Sequence, residues 1–162
     1  MANGYFGNYV AITKDDVIVV AQRCCGDIFL FSRNTTGSWV LVDQLFDSAY
    51  FPKLSGNFLA VIKKNVVSVY KVNGTTGIST ALHNFTGPEP SVSSDPNVNR
   101  NPMKYDLTED GVVIGEGTSK MANVYPMKSG IQIDILNASS WHNGSEFGRH
   151  IKMFKKVKII SI

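Results

Sequence analysis

Short runs of β-branched and aromatic residues, each closed by Gly, Asn or Asp, follow one another along most of this chain at intervals of about eight to twelve residues. That spacing leaves no room for a helix of useful length and predicts an all-β fold. The first runs are Tyr9 to Lys14, Val17 to Gln22 after the Asp15-Asp16 turn, Asp27 to Arg33 after Gly26, and Trp39 to Leu45 after Asn34-Thr35-Thr36-Gly37. Together they describe a four-stranded antiparallel meander. A second set of similar length follows: Phe51 to Leu54, Phe58 to Lys63, Asn65 to Val72 and Ile78 to Phe85. The segments Phe31-Ser32-Arg33-Asn34-Thr35-Thr36-Gly37 and Tyr70-Lys71-Val72-Asn73-Gly74-Thr75-Thr76-Gly77 align, so the pattern is a repeat with a period of about forty residues.

A third set runs through Met103 to Thr108, Gly111 to Glu116, Met121 to Lys128 and Ile131 to Asn137, with Glu109-Asp110-Gly111 and Ser129-Gly130 as turns. Phe147-Gly148 restarts the pattern, and Ile151 to Phe154 and Val157 to Ile162 read as two more strands. The expected units are thus about 5–48, 49–86, 103–140 and an incomplete 147–162, opened by Phe6, Phe51, Met103 and Phe147. Residues 87–102, rich in Pro, Ser and Asn and without alternation, are expected to form an exposed loop or linker.

The opening unit contains Phe6-Gly7, Val10-Ala11-Ile12, the Asp15-Asp16 turn, Val17-Ile18-Val19-Val20-Ala21, Gly26-Asp27-Ile28-Phe29-Leu30-Phe31 and Trp39. In this order they resemble an FG-GAP-type β-propeller repeat, the kind found in integrin-like propellers. The resemblance is strongest over residues 6–45 and holds later only through spacing and strand order. Where such a repeat has Gly-Ala-Pro this chain has Ala21-Gln22-Arg23, and the Asp-x-Asp-x-Asp-Gly calcium loop is absent, so calcium binding does not carry over. The expected fold is therefore an incomplete β-propeller of about three and a half four-stranded antiparallel blades, with a β-sandwich as the alternative.

With 162 residues and 43% hydrophobic content the chain can bury a core of its own. A net charge of +3 without an arginine-rich stripe argues against a nucleic-acid partner. No signal-peptide pattern and no membrane-length apolar run are visible, and the compartment stays open between an extracellular and an assembly-associated location. The neighbouring Cys24 and Cys25 read as reduced thiols rather than a disulfide framework. Sequons at Asn34, Asn73, Asn84, Asn137 and Asn143 suit either glycosylation or ordinary turn chemistry.

No nucleophile, base and orienting carboxylate are recognisable together. His83, His142 and His150 lack metal-type spacing, Gly115-Glu116-Gly117-Thr118 lacks the Gly-Lys-Ser/Thr and helix of a phosphate loop, and the pairs Asp15-Asp16 and Glu109-Asp110 read as solvated turns. The expectation is a protein that is not an enzyme, needs no cofactor or metal, and serves as an interaction or structural module, for example in a shell, filament or capsid. A lectin-like domain that stacks a glycan on Trp39 or Trp141 is the alternative. Arg149, Lys152, Lys155, Lys156 and Lys158 form either lysine-protected strand edges or a basic patch. The last strand, with Val157, Ile159, Ile160 and Ile162, is expected to be covered by its own N-terminus, another copy or a separate protein.

Overall fold

The computed structural model describes residues 6–22, 26–46, 50–63, 66–87, 104–116, 121–130, 134–137, 151–154 and 158–161. Every regular element among them is a strand, and none of them forms a helix long and apolar enough to cross a membrane. Four strands, β1 (Phe6–Ile12), β2 (Ile18–Gln22), β3 (Asp27–Arg33) and β4 (Trp39–Phe46), pair in chain order as an antiparallel meander. The next four repeat it: β5 (Tyr50–Ser55), β6 (Phe58–Lys63), β7 (Val66–Val72) and β8 (Ser79–Thr86). A third sheet contains β9 (Lys104–Leu107), β10 (Gly111–Glu116), β11 (Met121–Pro126) and β12 (Asp134–Asn137), and β13 (Ile151–Phe154) pairs with β14 (Lys158–Ser161) as a hairpin. The architecture is thus all-β, with repeated four-stranded antiparallel sheets.

Two compact units partition the chain, Met1–Lys64 with Ser68–Asn84, and Asn65–Val67 with Phe85–Ile162. In the first unit the period of two in β2 and β3 sends Val19, Ala21, Ile28 and Leu30 to one face. There they join Val17 in a core with Leu59, Val61 and Val72 of the second sheet, bordered by Tyr9, Val42, Leu45, Leu54 and Tyr70. Each fully buried Val, Leu or Ile side chain of this core stabilises the fold by roughly 1.5–3 kcal/mol. Asp43 of β4 adds a polar tie to β8: its Oδ2 accepts from the Ser79 amide at 2.7 Å and the Ser79 hydroxyl at 2.6 Å.

In the second unit β10 is buried along Gly111 to Gly115, which fits its unbroken apolar run. Phe85 stacks on Tyr125 with ring centroids 4.6 Å apart. The Tyr125 hydroxyl donates to the Thr86 carbonyl at 2.6 Å, which satisfies the polar end of an otherwise buried ring.

The turns explain why the meander reverses where it does. Asn34 and Asn73 occupy the same place in the first two sheets. Asn34 Oδ1 accepts from the amides of Thr36 at 3.0 Å and Ser38 at 2.9 Å, and Asn73 Oδ1 from those of Thr75 at 2.9 Å and Thr76 at 3.0 Å. These are side chains standing in for backbone acceptors in a tight turn. Gly37 and Gly77, with φ of 83° and 73°, then supply the left-handed residue that ends each turn.

One expectation about register needs correcting. The pairing of β1 with β2 slips between Phe6 and Tyr9, and that of β5 with β6 slips between Tyr50 and Lys53. In the first bulge Gly7 has φ 83°, and in the second the left-handed residue is Phe51, at 51°. The counterpart of Phe6 is therefore Tyr50 rather than Phe51. Matching the aromatic residues by type hid this one-residue offset, because the second sheet places a phenylalanine where the first has the conformationally permissive glycine.

Candidate functional site

The best-defined polar constellation among the described residues lies in the first unit, where the β1–β2 turn meets two turns of the second sheet. Thr13 starts it. Its backbone N–H donates to the Val17 carbonyl at 2.9 Å, and its buried hydroxyl accepts from the Val17 amide at 2.9 Å. Asp16 adopts φ 62°, a conformation aspartate tolerates better than most residues, and this turns the chain so that Asp15 projects towards the second sheet. The Lys14 amide donates to the Gly56 carbonyl at 3.4 Å, and the Asn57 side-chain amide donates to Asp15 Oδ2.

Asn57 is itself held by its backbone, whose carbonyl accepts from the Val72 amide at 2.8 Å. Its side-chain oxygen is buried and accepts no hydrogen bond. Gly74 completes the arrangement, since a Cβ at that position would run into the Asp15 side chain. The result is an exposed carboxylate with one oxygen fixed by an amide donor and with a glycine leaving it room.

An equivalent turn occurs in the second unit. The Thr108 amide donates to the Gly111 carbonyl at 2.9 Å, and its hydroxyl accepts from the Asp110 and Gly111 amides, each at 3.3 Å. Thr13 and Thr108 share a signal that is local in sequence: a threonine one or two residues before each acidic pair, placed to close the turn with its hydroxyl. Asn57 was missed, because nothing local distinguishes it from any other turn asparagine; only the register of the two sheets brings it to Asp15.

The residues singled out from sequence are widely scattered. Trp39 opens β4, half out in solvent, with the Arg33 guanidinium 4.9 Å from its ring centroid. Asn34 and Asn73 build turns as described, and Asn84 is exposed in β8. Asn137 lies in β12, Lys152 in β13 and Lys158 in β14. Trp141, Asn143, Arg149, Lys155, Lys156, Cys24, Cys25, His142 and His150 lie outside the described residues, as do residues 88–103. His83 is half-buried in the outer strand β8. Among the described residues no three His, Cys, Asp or Glu side chains gather as a metal-ligand set.

No protein-family model matches the sequence, and no curated protein is similar to it at sequence level. Similarity is found among solved structures. The chain is similar to Sqt1 of Saccharomyces cerevisiae, with a TM-score of 0.56 and 15% identity over 79% of this chain and 35% of that one. It is similar to the periplasmic gluconolactonase PpgL of Pseudomonas aeruginosa, with a TM-score of 0.52 and 17% identity over 80% and 38%. A candidate 6-phosphogluconolactonase of Bacteroides fragilis matches with a TM-score of 0.53 and 14% identity, again over 80% and 38%. These neighbours are β-propeller proteins. The fold is β-propeller-like.

The chain spans between 35% and 38% of the length of these three structures. This likeness supports the propeller architecture without singling out the FG-GAP type. It also corrects the functional expectation. A non-catalytic interaction or structural module, or a lectin-like domain, was inferred because no catalytic set was recognisable in the sequence, yet two of the neighbours are lactonases by name. One fold hosts many unrelated functions, so function has to be argued from the site rather than from the architecture.

Proposed function

We propose that this chain is part of a β-propeller that hydrolyses a sugar-derived lactone. The observation that carries the reading is the propeller architecture common to this chain and the two lactonases, each matched over 80% of the present sequence. Opening a lactone adds water to the ring carbonyl and breaks the ring C–O bond. The site must therefore supply a group that takes the proton of the attacking water and donors that face the developing oxyanion. Asp15 is the described carboxylate best suited to the first task, since the Asn57 amide fixes its orientation while the side chain stays open to solvent.

The test is release of acid from glucono-δ-lactone and its 6-phosphate, followed by pH-stat titration against the spontaneous rate. Turnover is expected from the intact chain, and Asp15→Asn should lower it by about 10²–10⁴-fold with an unchanged β-sheet circular dichroism spectrum. No turnover of either lactone above the spontaneous rate would overturn the reading. Turnover indifferent to Asp15→Asn would move the base elsewhere. As a separate proposal, the repeat is of FG-GAP type, a reading supported by Phe6-Gly7 opening β1 with the glycine in the left-handed conformation at the bulge.

A further inference from the structure

The turn at Asn73 and Gly74 brings reactive groups together in a way the proposed function does not use. The Asn73 backbone is fixed on both sides: its amide donates to the Ile78 carbonyl at 2.9 Å, and its carbonyl accepts from the Gly77 amide at 2.7 Å. Its side chain is exposed, yet Oδ1 accepts from the Thr75 and Thr76 amides at 2.9 and 3.0 Å. Closing the ring to Thr75 bends the side chain back along the chain, towards its own peptide bond with Gly74. The two N–H donors also draw electron density away from the side-chain carbonyl carbon, and they face the oxyanion that forms when a nucleophile adds there.

That nucleophile is the next nitrogen in the chain. The Gly74 amide donates no hydrogen bond to a described residue. Gly74 has no side chain to shield its nitrogen, and none fits, because a Cβ would run into Asp15. Among the described residues Asn73 is the only asparagine followed by glycine. Asn34 supplies the contrast: its Oδ1 accepts from the Thr36 and Ser38 amides in the same way, but the branched Cβ of Thr35 crowds the nitrogen that follows it.

We infer that Asn73-Gly74 is a self-modification site, where the chain converts its own asparagine through a succinimide ring into aspartate and isoaspartate. Hydroxide takes the Gly74 amide proton, and the nitrogen bonds to Asn73 Cγ. The Cγ–Nδ2 bond then breaks, and ammonia leaves with a proton from water, which regenerates the hydroxide. Holding both reacting groups in one turn makes the step intramolecular. Water opens the ring at Cγ to give aspartate, or at the main-chain carbonyl to give isoaspartate, which adds a carbon to the backbone. Either product places a new negative charge next to the glycine against which Asp15 lies. The inference does not depend on lactone hydrolysis.

Ageing the intact, folded chain at mildly alkaline pH, followed by peptide mapping in the mass spectrometer, tests it. Asn73 is expected to exchange its amide nitrogen for oxygen at least about tenfold faster than Asn34, at a rate that rises with pH and with isoaspartate among the products. Thr35→Gly, at an exposed turn position, should bring Asn34 close to the rate of Asn73. An Asn73 that keeps its amide as long as Asn34 overturns the inference. So does one that loses it only in urea or yields aspartate without isoaspartate, and so does a Thr35→Gly chain whose Asn34 reacts no faster than before.

Discussion

The first and second sheets are copies of one pattern, yet they differ in how their first strands meet water. The inner strands agree: Val19, Val20 and Ala21 of β2 and Leu59, Ala60, Val61 and Ile62 of β6 are buried in succession, so both faces of each are covered. In β1, however, Val10 and Ile12 stand exposed, whereas Lys53 and Leu54 of β5 are half-buried. The same alternation of apolar residues therefore has two outcomes, and the difference is one of neighbours rather than of local propensity. A face of this kind is stabilising only where another sheet covers it.

The largest effect should separate the two faces of the first sheet. Leu30→Ala removes a fully buried side chain and is expected to cost about 2–5 kcal/mol in chemical denaturation. Leu41→Ala, on the exposed face of the same sheet, should cost under about 1 kcal/mol in the monomer. Equal losses would show that the exposed face is packed in solution.

A second comparison sets the two equivalent turn glycines against each other. A Cβ at Gly37 meets nothing within 4 Å, so Gly37→Ala should cost only about 1–2 kcal/mol for its left-handed backbone. At Gly77 a Cβ would lie 2.5 Å from Val42 Cγ2 and 3.1 Å from Ser32 Cβ. Gly77→Ala should therefore lose a further 1–3 kcal/mol or so, read from the shift in denaturation midpoint. If the two variants unfold at the same denaturant concentration, the outer turn of the second sheet does not pack on β3 and β4 as described.

Smaller again is the polar tie between the sheets. Asp43→Ala leaves the Ser79 amide and hydroxyl without their shared acceptor, at an expected cost of about 1–3 kcal/mol. Ser79→Ala, which removes the hydroxyl but keeps the amide bond, should cost less. A double variant losing the full sum of the two single losses would mean that the pair is not coupled.

The smallest effect is a pH dependence. Burial beside the core pushes the Tyr9 phenol above its usual value of 10.0, partly offset by its hydrogen bond with the Leu54 backbone. A phenol whose folded pKa lies above its unfolded one contributes fully below the unfolded pKa, and that contribution is lost as pH rises through the folded value. Stability should therefore decline above about pH 10, and Tyr9→Phe should flatten that part of the profile. An unchanged slope in the variant would place the alkaline loss on other groups.

Much of the fold could be read from residue order. Strand positions, the Asx turns at Asn34 and Asn73 and the four-stranded repeat follow from an apolar period of two broken by turn formers, and these are local properties. The candidate site was half legible. Asp15 was visible as a turn carboxylate, but its partner Asn57, forty-two positions away, was not. The bulge that replaces Gly7 by Phe51 was also invisible, since aromatic residues suggested a different alignment.

By itself, then, the sequence determined the strands, their order and the repeat, because backbone hydrogen bonding and side-chain alternation act over a few residues. Only the tertiary structure decided which faces are covered, which turns bring Asp15, Asn57 and Gly74 together, and which polar pairs tie one sheet to the next. Those outcomes depend on register and on contacts between segments far apart in the chain, where one residue of offset sends every side chain of a strand to the opposite face.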